Sequence, residues 1–213
     1  GTEYEYLMRK ADKALYLAKE KGKNRHIIYE ERLHGKLETD DMQNMAMAYA
    51  VSKEKKREAI TEMITQLCVS GVNAIVKNEE RLQQIRSLFD LDGITIFSDR
   101  GSNLVCRNGS YMAEAPDGRS GFEDEKYLAL FGDDDIFVES NMIKLRSRNP
   151  AAYAVTQEQE IGAALQCLSR KEGIPYTMVN FEVFNRNRKW SDEDITLLTL
   201  LGHCIGNLLN YSE

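Results

Sequence analysis

The stretch Trp190-Ser-Asp-Glu-Asp194 followed by a leucine-rich stripe constrains this chain more than any other feature, because it fixes both where a helix starts and which face it buries. Ser191 suits the cap position, Asp194 three residues later can answer as the capping-box acid, and Trp190 can staple onto Ile195. Leu198, Leu201, Ile205 and Leu208 then recur at heptad spacing, and Leu197 and Leu209 widen the stripe. Gly202 and Gly206 lie four apart on one face. Each costs about 1 kcal/mol of helix propensity relative to alanine, so a close approach to some other surface must compensate. That surface is either the domain's own sheet or first helix, or a second chain.

Upstream of this helix the pattern changes to strands. Ala163 to Leu168 reads as a strand, Arg170-Lys-Glu-Gly173 as a turn, and Tyr176 to Phe184 as a long strand. Thr177, Val179, Phe181 and Val183 share one side of the long strand; Tyr176, Met178, Asn180, Glu182 and Phe184 share the other. The second set mixes large apolar groups with an amide and a carboxylate, which suits either a ligand cavity or a partly solvated surface.

Earlier still, Ile60, Met63, Ile64, Leu67, Gly71, Ala74 and Ile75 mark a helix whose heptad-like seam serves either internal packing or dimerisation. A second helix is predicted from Asn78, as cap, to Leu88, with Leu82, Ile85, Leu88 and Phe89 facing inward. The strand Ile94 to Phe97, the polar turn 99–103 and the strand Leu104 to Cys106 form a predicted hairpin. Between 109 and 149 loop signals alternate with short apolar pieces, giving a long excursion with a short helix in 126–131 and a strand at Ile136 to Val138. A further strand is predicted at Ala152 to Val155. The Asp133-Asp134-Asp135 run lacks the alternating ligands of a calcium loop and reads as solvated turn acids.

A chain of 213 residues can bury a substantial core, and 42% hydrophobic with 29% charged residues places it among globular proteins. A formal charge of −6 argues against nucleic acid as a partner, since phosphate contacts need a basic face. No apolar run approaches the length of a membrane span, so no membrane contact is expected from this piece. The four cysteines, Cys68, Cys106, Cys167 and Cys204, are widely spaced and read as core thiols of a reduced, cytoplasmic chain. No nucleophile–base pair, glycine-rich phosphate loop or metal motif is present, so neither catalytic nor metal-binding residues are assigned.

The N-terminal run from Arg9 to Arg25 has apolar positions at helical spacing through Ala18, with Gly22 where a left-handed cap belongs. The helix should stop near Lys21, and His26-Ile-Ile-Tyr29 reads as a short strand. Ala11, Asp12, Ala14, Leu15, Tyr16, Ala18, Lys19, Gly22, Asn24 and Arg25 match the pattern ADxALYxAKxxGxNR, and the segment resembles the tail of a GGDEF (diguanylate cyclase) domain. The resemblance implies a parent protein of bacterial cyclic di-GMP signalling. No two glycines are adjacent in the chain, so the cyclase loop is missing and this piece is not expected to be an enzyme. Residues 1–30 are read as that remnant and 31–56 as a connector. The methionine–alanine patch Met42, Met45, Met47 and Ala48 is read as the buried face of a short helix.

The remainder, 57–213, resembles a GAF domain. The motif that carries the resemblance is (F/W)-S-x-E-D-x-x-L-L, matched by Trp190, Ser191, Glu193, Asp194, Leu197 and Leu198. It implies an α+β fold: a central antiparallel sheet of about six strands, N- and C-terminal helices packed on one face, and a small-molecule cavity under the crossover on the other. The residues expected to line that cavity are Tyr111, Phe122, Phe131, Phe137, Tyr153, Gln166, Met178, Asn180 and Glu182. The Asn-Lys-Phe-Asp-Glu set of cyclic-nucleotide-binding relatives is absent, and no histidine is placed to ligate haem. Cys204 follows His203, the reverse of the Cys-His order at tetrapyrrole attachment sites. No cofactor is therefore named. The implied function is a non-catalytic sensory domain that binds an unidentified small molecule and forms a homodimer beside catalytic modules, with Ile60, Ile64, Leu67, Leu198, Leu201, Ile205 and Leu208 at the interface. The alternative is a structural linker with a collapsed cavity.

Overall fold

The computed structural model describes residues 2–20, 26–34, 39–71, 79–98, 104–107, 110–112 and 124–211. Contacts divide the chain into two compact units, Gly1–Glu54 and Lys55–Glu213.

The first unit holds α1 (Thr2–Glu20), α2 (Glu31–His34) and the beginning of α3 (Thr39–Ser70). The strand expected at His26 to Tyr29 is not formed: residues 26–30 have no regular structure, and Ile28 is 76% exposed. A lone extended segment has no partner to satisfy its backbone groups, which removes the reason for a strand to persist. The methionine patch lies on a long helix and not a short one, and its one described side chain, Met47, is exposed, as are Tyr49 and Val51. A spacing of two spreads these residues around a helix instead of aligning them in a stripe. Gly22 and the side chains of Met42, Met45 and Ala48 fall outside the described set.

In the second unit an antiparallel sheet runs in the order β3-β2-β1-β6-β5-β4. Its strands are β1 (Gly93–Ser98), β2 (Leu104–Arg107), β3 (Ser110–Met112), β4 (Ile136–Glu139), β5 (Ile161–Lys171) and β6 (Ile174–Phe184). The predicted hairpin is present, with Ile94 opposite Cys106. Glu172 and Gly173 both have positive φ (54° and 84°), the two-residue type I′ turn whose twist matches its flanking strands, and Lys171 faces Ile174 across it. The turn is thus tighter than the four residues read from the sequence.

One face of the sheet carries the helices. Ile60, Met63 and Leu67 of α3, Leu82 and Ile85 of α4 (Glu79–Leu88), and Leu198, Leu201 and Ile205 of α8 (Asp192–Tyr211) form one core with Ile94, Ile96, Leu165, Val179, Phe181 and Val183. Asn78, the expected cap of α4, lies outside the described residues. The start of α8 is built as the sequence predicts in two respects: the Asp194 N–H donates to Ser191 Oγ (3.1 Å), and Trp190 and Ile195 pack in the same core. The Asp194 carboxylate is instead taken by Lys56 Nζ (2.6 Å) and Arg188 Nη2 (2.9 Å). An alanine-sized Cβ at Gly202 would sit 2.6 Å from Cys167 Sγ, and one at Gly206 would sit 2.8 Å from Ser169 Cβ. The two glycines therefore let α8 settle onto β5 of its own sheet.

The seven residues read as a dimer interface all take part in this packing within the chain. Ile60, Leu67, Leu198, Leu201 and Ile205 are buried, and Ile64 and Leu208 pack against the same cluster. Heptad spacing records a buried stripe without saying what buries it, and here the chain's own sheet does.

The other face is covered by α5 (Glu125–Leu128), a 3-10 turn (Met142–Lys144), α6 (Leu145–Arg148) and α7 (Pro150–Glu158). The strand predicted at Ala152 to Val155 is a helix. Pro150 is favourable in a first turn, and Asn149 Oδ1 accepts from the Ala152 N–H (3.0 Å), so the local start signal overrides the apolar run. Among the described residues no helix is long and apolar enough to cross a membrane.

Candidate functional site

Register places a polar row across the sheet face opposite α3 and α8. Thr95 on β1 faces Asn180 on β6, Asn180 faces Gln166 on β5, and Gln166 faces Phe137 on β4. Glu182 lies one pleat further along β6, between Gly93 and Ala164. All four polar side chains are buried, Thr95 and Glu182 completely and Gln166 and Asn180 to 3% and 4% exposure. The sequence left this face open as cavity or partly solvated surface; the structure removes it from solvent.

Burial on that scale requires hydrogen bonds, and most of the row has them. Thr95 Oγ1 donates to Glu182 Oε2 (3.1 Å), and Tyr127 Oη donates to Gln166 Oε1 (2.6 Å). Asp124 delivers Tyr127 by accepting from the backbone N–H groups of Lys126 and Tyr127 at the start of α5. Burial pushes the Tyr127 phenol well above its ordinary value; the Gln166 bond opposes this and the charge of Glu182 adds to it. Tyr127 is thus a neutral donor at any physiological pH. Asn180 differs: its Oδ1 is buried without a hydrogen-bond partner. An unsatisfied buried acceptor costs about 1–3 kcal/mol, so this position stands out within an otherwise satisfied row.

Apolar groups frame the row. Phe97, Leu168 and Met178 cluster with Tyr127, Leu128 and Phe131 on one side. Phe137, Met142, Leu145, Ala152 and Ala164 cluster with Tyr127, Phe131 and Tyr153 on the other. Phe131 bridges them, with ring centroids 5.9 Å from Tyr127 and 6.0 Å from Phe137.

Of the nine residues predicted to line a cavity, Phe131, Phe137, Tyr153, Gln166, Met178, Asn180 and Glu182 are gathered on this face. Tyr111 pairs with Cys106 in the β2–β3 register, and its side chain falls outside the described set. Phe122 lies outside the described residues. Sequence reasoning missed Thr95 and Tyr127. The alternation of Gly93-Ile-Thr-Ile-Phe97, with Ile94 and Ile96 committed to the helices, could have assigned Thr95 to the opposite face. Tyr127 had no such signal, because a single turn of helix carries no periodicity.

A second polar assembly joins the sheet's exit to the helices. Arg188 donates to Asp194 and to the backbone oxygens of Phe89 and Asp90, and its guanidinium lies 4.2 Å from the Trp190 ring centre. Burial lowers the Arg188 pKa, against the opposing pull of Asp194. Burial also works to raise the Asp194 carboxyl, but Lys56 and Arg188 outweigh it and hold the group below the usual carboxylate range. Among the described residues no group of three or more His, Cys, Asp or Glu side chains is arranged to hold a metal.

No family model matches the chain, and no curated protein matches it. Solved structures do. The chain is similar to the chromophore-binding domain of a Stigmatella aurantiaca bacteriophytochrome, with TM-score 0.54 and 15% identity over 74% of this chain and 60% of that one. It is also similar to the chromophore-binding domain of an unusual bacteriophytochrome from R. palustris, with TM-score 0.52 and 13% identity over 72% of this chain and 59% of that one. The chain thus spans about three-fifths of the length of these two. From the sheet order, the helix layer and this likeness together, the fold is GAF-like.

Proposed function

We propose that this chain is a non-catalytic sensory domain that takes a small polar molecule on the sheet face bearing Thr95, Gln166, Asn180 and Glu182. The observation that carries this reading is the buried Asn180 Oδ1 without a partner, beside a carboxylate and an amide already organised by Thr95 and Tyr127. Such a row offers acceptors to a ligand bearing N–H or O–H groups, and the surrounding aromatic side chains suit a flat one. Ligand entry would displace Phe131 and α5, and the sheet would pass the change through the Arg188–Asp194 assembly to α3 and α8. The output would be the relative angle of those helices, limited by the ligand's differential affinity for the two arrangements.

The match of residues 9–25 to the end of a GGDEF domain supports a parent protein in bacterial cyclic di-GMP signalling, cytoplasmic, homodimeric and carrying its catalysis in neighbouring modules. The same aromatic packing favours a second reading, a structural linker whose cavity is permanently filled by Phe131 and Phe137.

A thermal-shift panel of nucleotides, amino acids, nucleobases and tetrapyrroles, combined with native mass spectrometry, tests the choice. A ligand present at about 100 times its Kd adds roughly 2.7 kcal/mol, which raises Tm by several degrees. Sensing predicts such a compound and its loss in Asn180→Leu. No response from any compound, with a dimer persisting on dilution, supports the linker.

A further inference from the structure

Lys56 is tied to the first turn of α8, and Ile60, Met63 and Leu67 beyond it are buried in the same core as Leu198, Leu201 and Ile205, so α3 and α8 advance along that core in the same direction, joined by two ion pairs. Lys56 Nζ meets Asp194 Oδ1 at 2.6 Å, and Arg57 Nη2 meets Glu193 Oε1 at 2.9 Å. Eleven residues along an α-helix amount to three turns plus about 20°, a rise of about 16 Å, and return a side chain to nearly the same face. Eleven residues beyond Arg57 is Cys68; eleven beyond Glu193 is Cys204. Two helices that advance in the same direction and are joined at Arg57 and Glu193 therefore carry these cysteines at a similar height beside one core. Packing agrees. Leu67 and Ile205, each adjacent in sequence to one of the cysteines, are buried in the shared core, and Cys204 packs against that core.

The two thiols differ in access. Cys68 is exposed and Cys204 is partly buried. The Cys204 thiol is raised above its ordinary value first by burial and then by the charge of Cys68, which is consistent with their facing each other. Cys167, by contrast, is fully enclosed under α8 and its thiol is pushed up to about 12 by burial, so it is inert.

We infer that Cys68 and Cys204 form a reversible disulfide that ties the first helix of the domain to its last. The oxidant is a hydroperoxide. The Cys68 thiolate attacks the peroxide oxygen, the O–O bond breaks, and an alcohol or water leaves with the thiol's proton, giving a sulfenic acid. The Cys204 sulfur then displaces the hydroxyl as water and closes the S–S bond. Two electrons leave the pair of sulfurs and reduce the peroxide, and a small thiol such as glutathione reverses the reaction. In a reducing compartment such a bond is transient and regulatory rather than structural. It acts on the α3–α8 seam directly and does not depend on any ligand at Asn180.

The full chain, treated with hydrogen peroxide under native conditions, quenched with an alkylating agent and mapped by peptide mass, tests the assignment. The expected product is a monomeric chain lighter by two hydrogen atoms, with the Cys68 peptide joined to the Cys204 peptide and released by dithiothreitol. Cys68→Ser and Cys204→Ser each abolish it, and the oxidised wild type unfolds at higher urea than either oxidised variant. Cys68 recovered only as sulfinic acid, only in cross-links between chains, or joined to Cys204 only after denaturation would overturn the inference.

Discussion

At the scale of single residues, the two helical glycines and Asp194 set the sharpest limits. Gly202→Ala gains about 1 kcal/mol of helix propensity but drives a methyl to within 2.6 Å of Cys167 Sγ and 2.8 Å of its Cβ. A Cβ cannot swing aside as a chain end can, so α8 must lift from β5. The net loss expected is about 1–3 kcal/mol, read as a lower urea midpoint. Asp194 couples stability to acid. Its folded pKa lies below the ordinary 3.8, so the stabilisation is complete above that value and drains away as pH falls through the depressed folded pKa. Acid titration of Asp194→Asn should show a shallower loss below pH 4 than the wild type, with lower stability at neutral pH because Lys56 and Arg188 lose their shared counter-charge. A parallel decline of both proteins with pH would contradict that role.

Among secondary-structure elements, α8 depends on how it begins. Ser191→Ala removes the acceptor for the Asp194 N–H and should cost about 1 kcal/mol, seen in urea unfolding without a change of fold. This start was the most legible part of the sequence because cap, staple and apolar stripe are all local signals. The β5–β6 pair was legible for the same reason, through alternation and a Glu-Gly turn. Where the reading failed, either a local start signal outweighed an apolar run or a neighbour was missing. Ala152 to Val155 became helix through Asn149 and Pro150, and His26 to Tyr29 lost its strand for want of a neighbour. The heptads of α3 and α8 gave the buried faces but not the neighbour, which within the chain is its own sheet.

For the molecule as a whole, a GAF-like fold could be read from the order of elements, whereas the site could be read only in part. Alternation along β6 placed Met178, Asn180 and Glu182 together, but the closing of that face depends on Tyr127 and Phe131 arriving from the crossover. No period in the sequence announces that arrival.

The sheet order itself has a consequence for biosynthesis. β1 hydrogen-bonds to β6 along its whole length, although about eighty residues separate them in the chain. A ribosome-bound nascent chain therefore carries the β1–β2 ribbon with an open edge until the last strand emerges. Closure then follows quickly, since the two-residue turn at Glu172-Gly173 lets β5 and β6 zip together locally and deliver the missing neighbour as a finished pair. Slow translation between residues 98 and 174 would prolong the exposure of that edge, the interval in which nascent chains of this kind are most open to mispairing with one another.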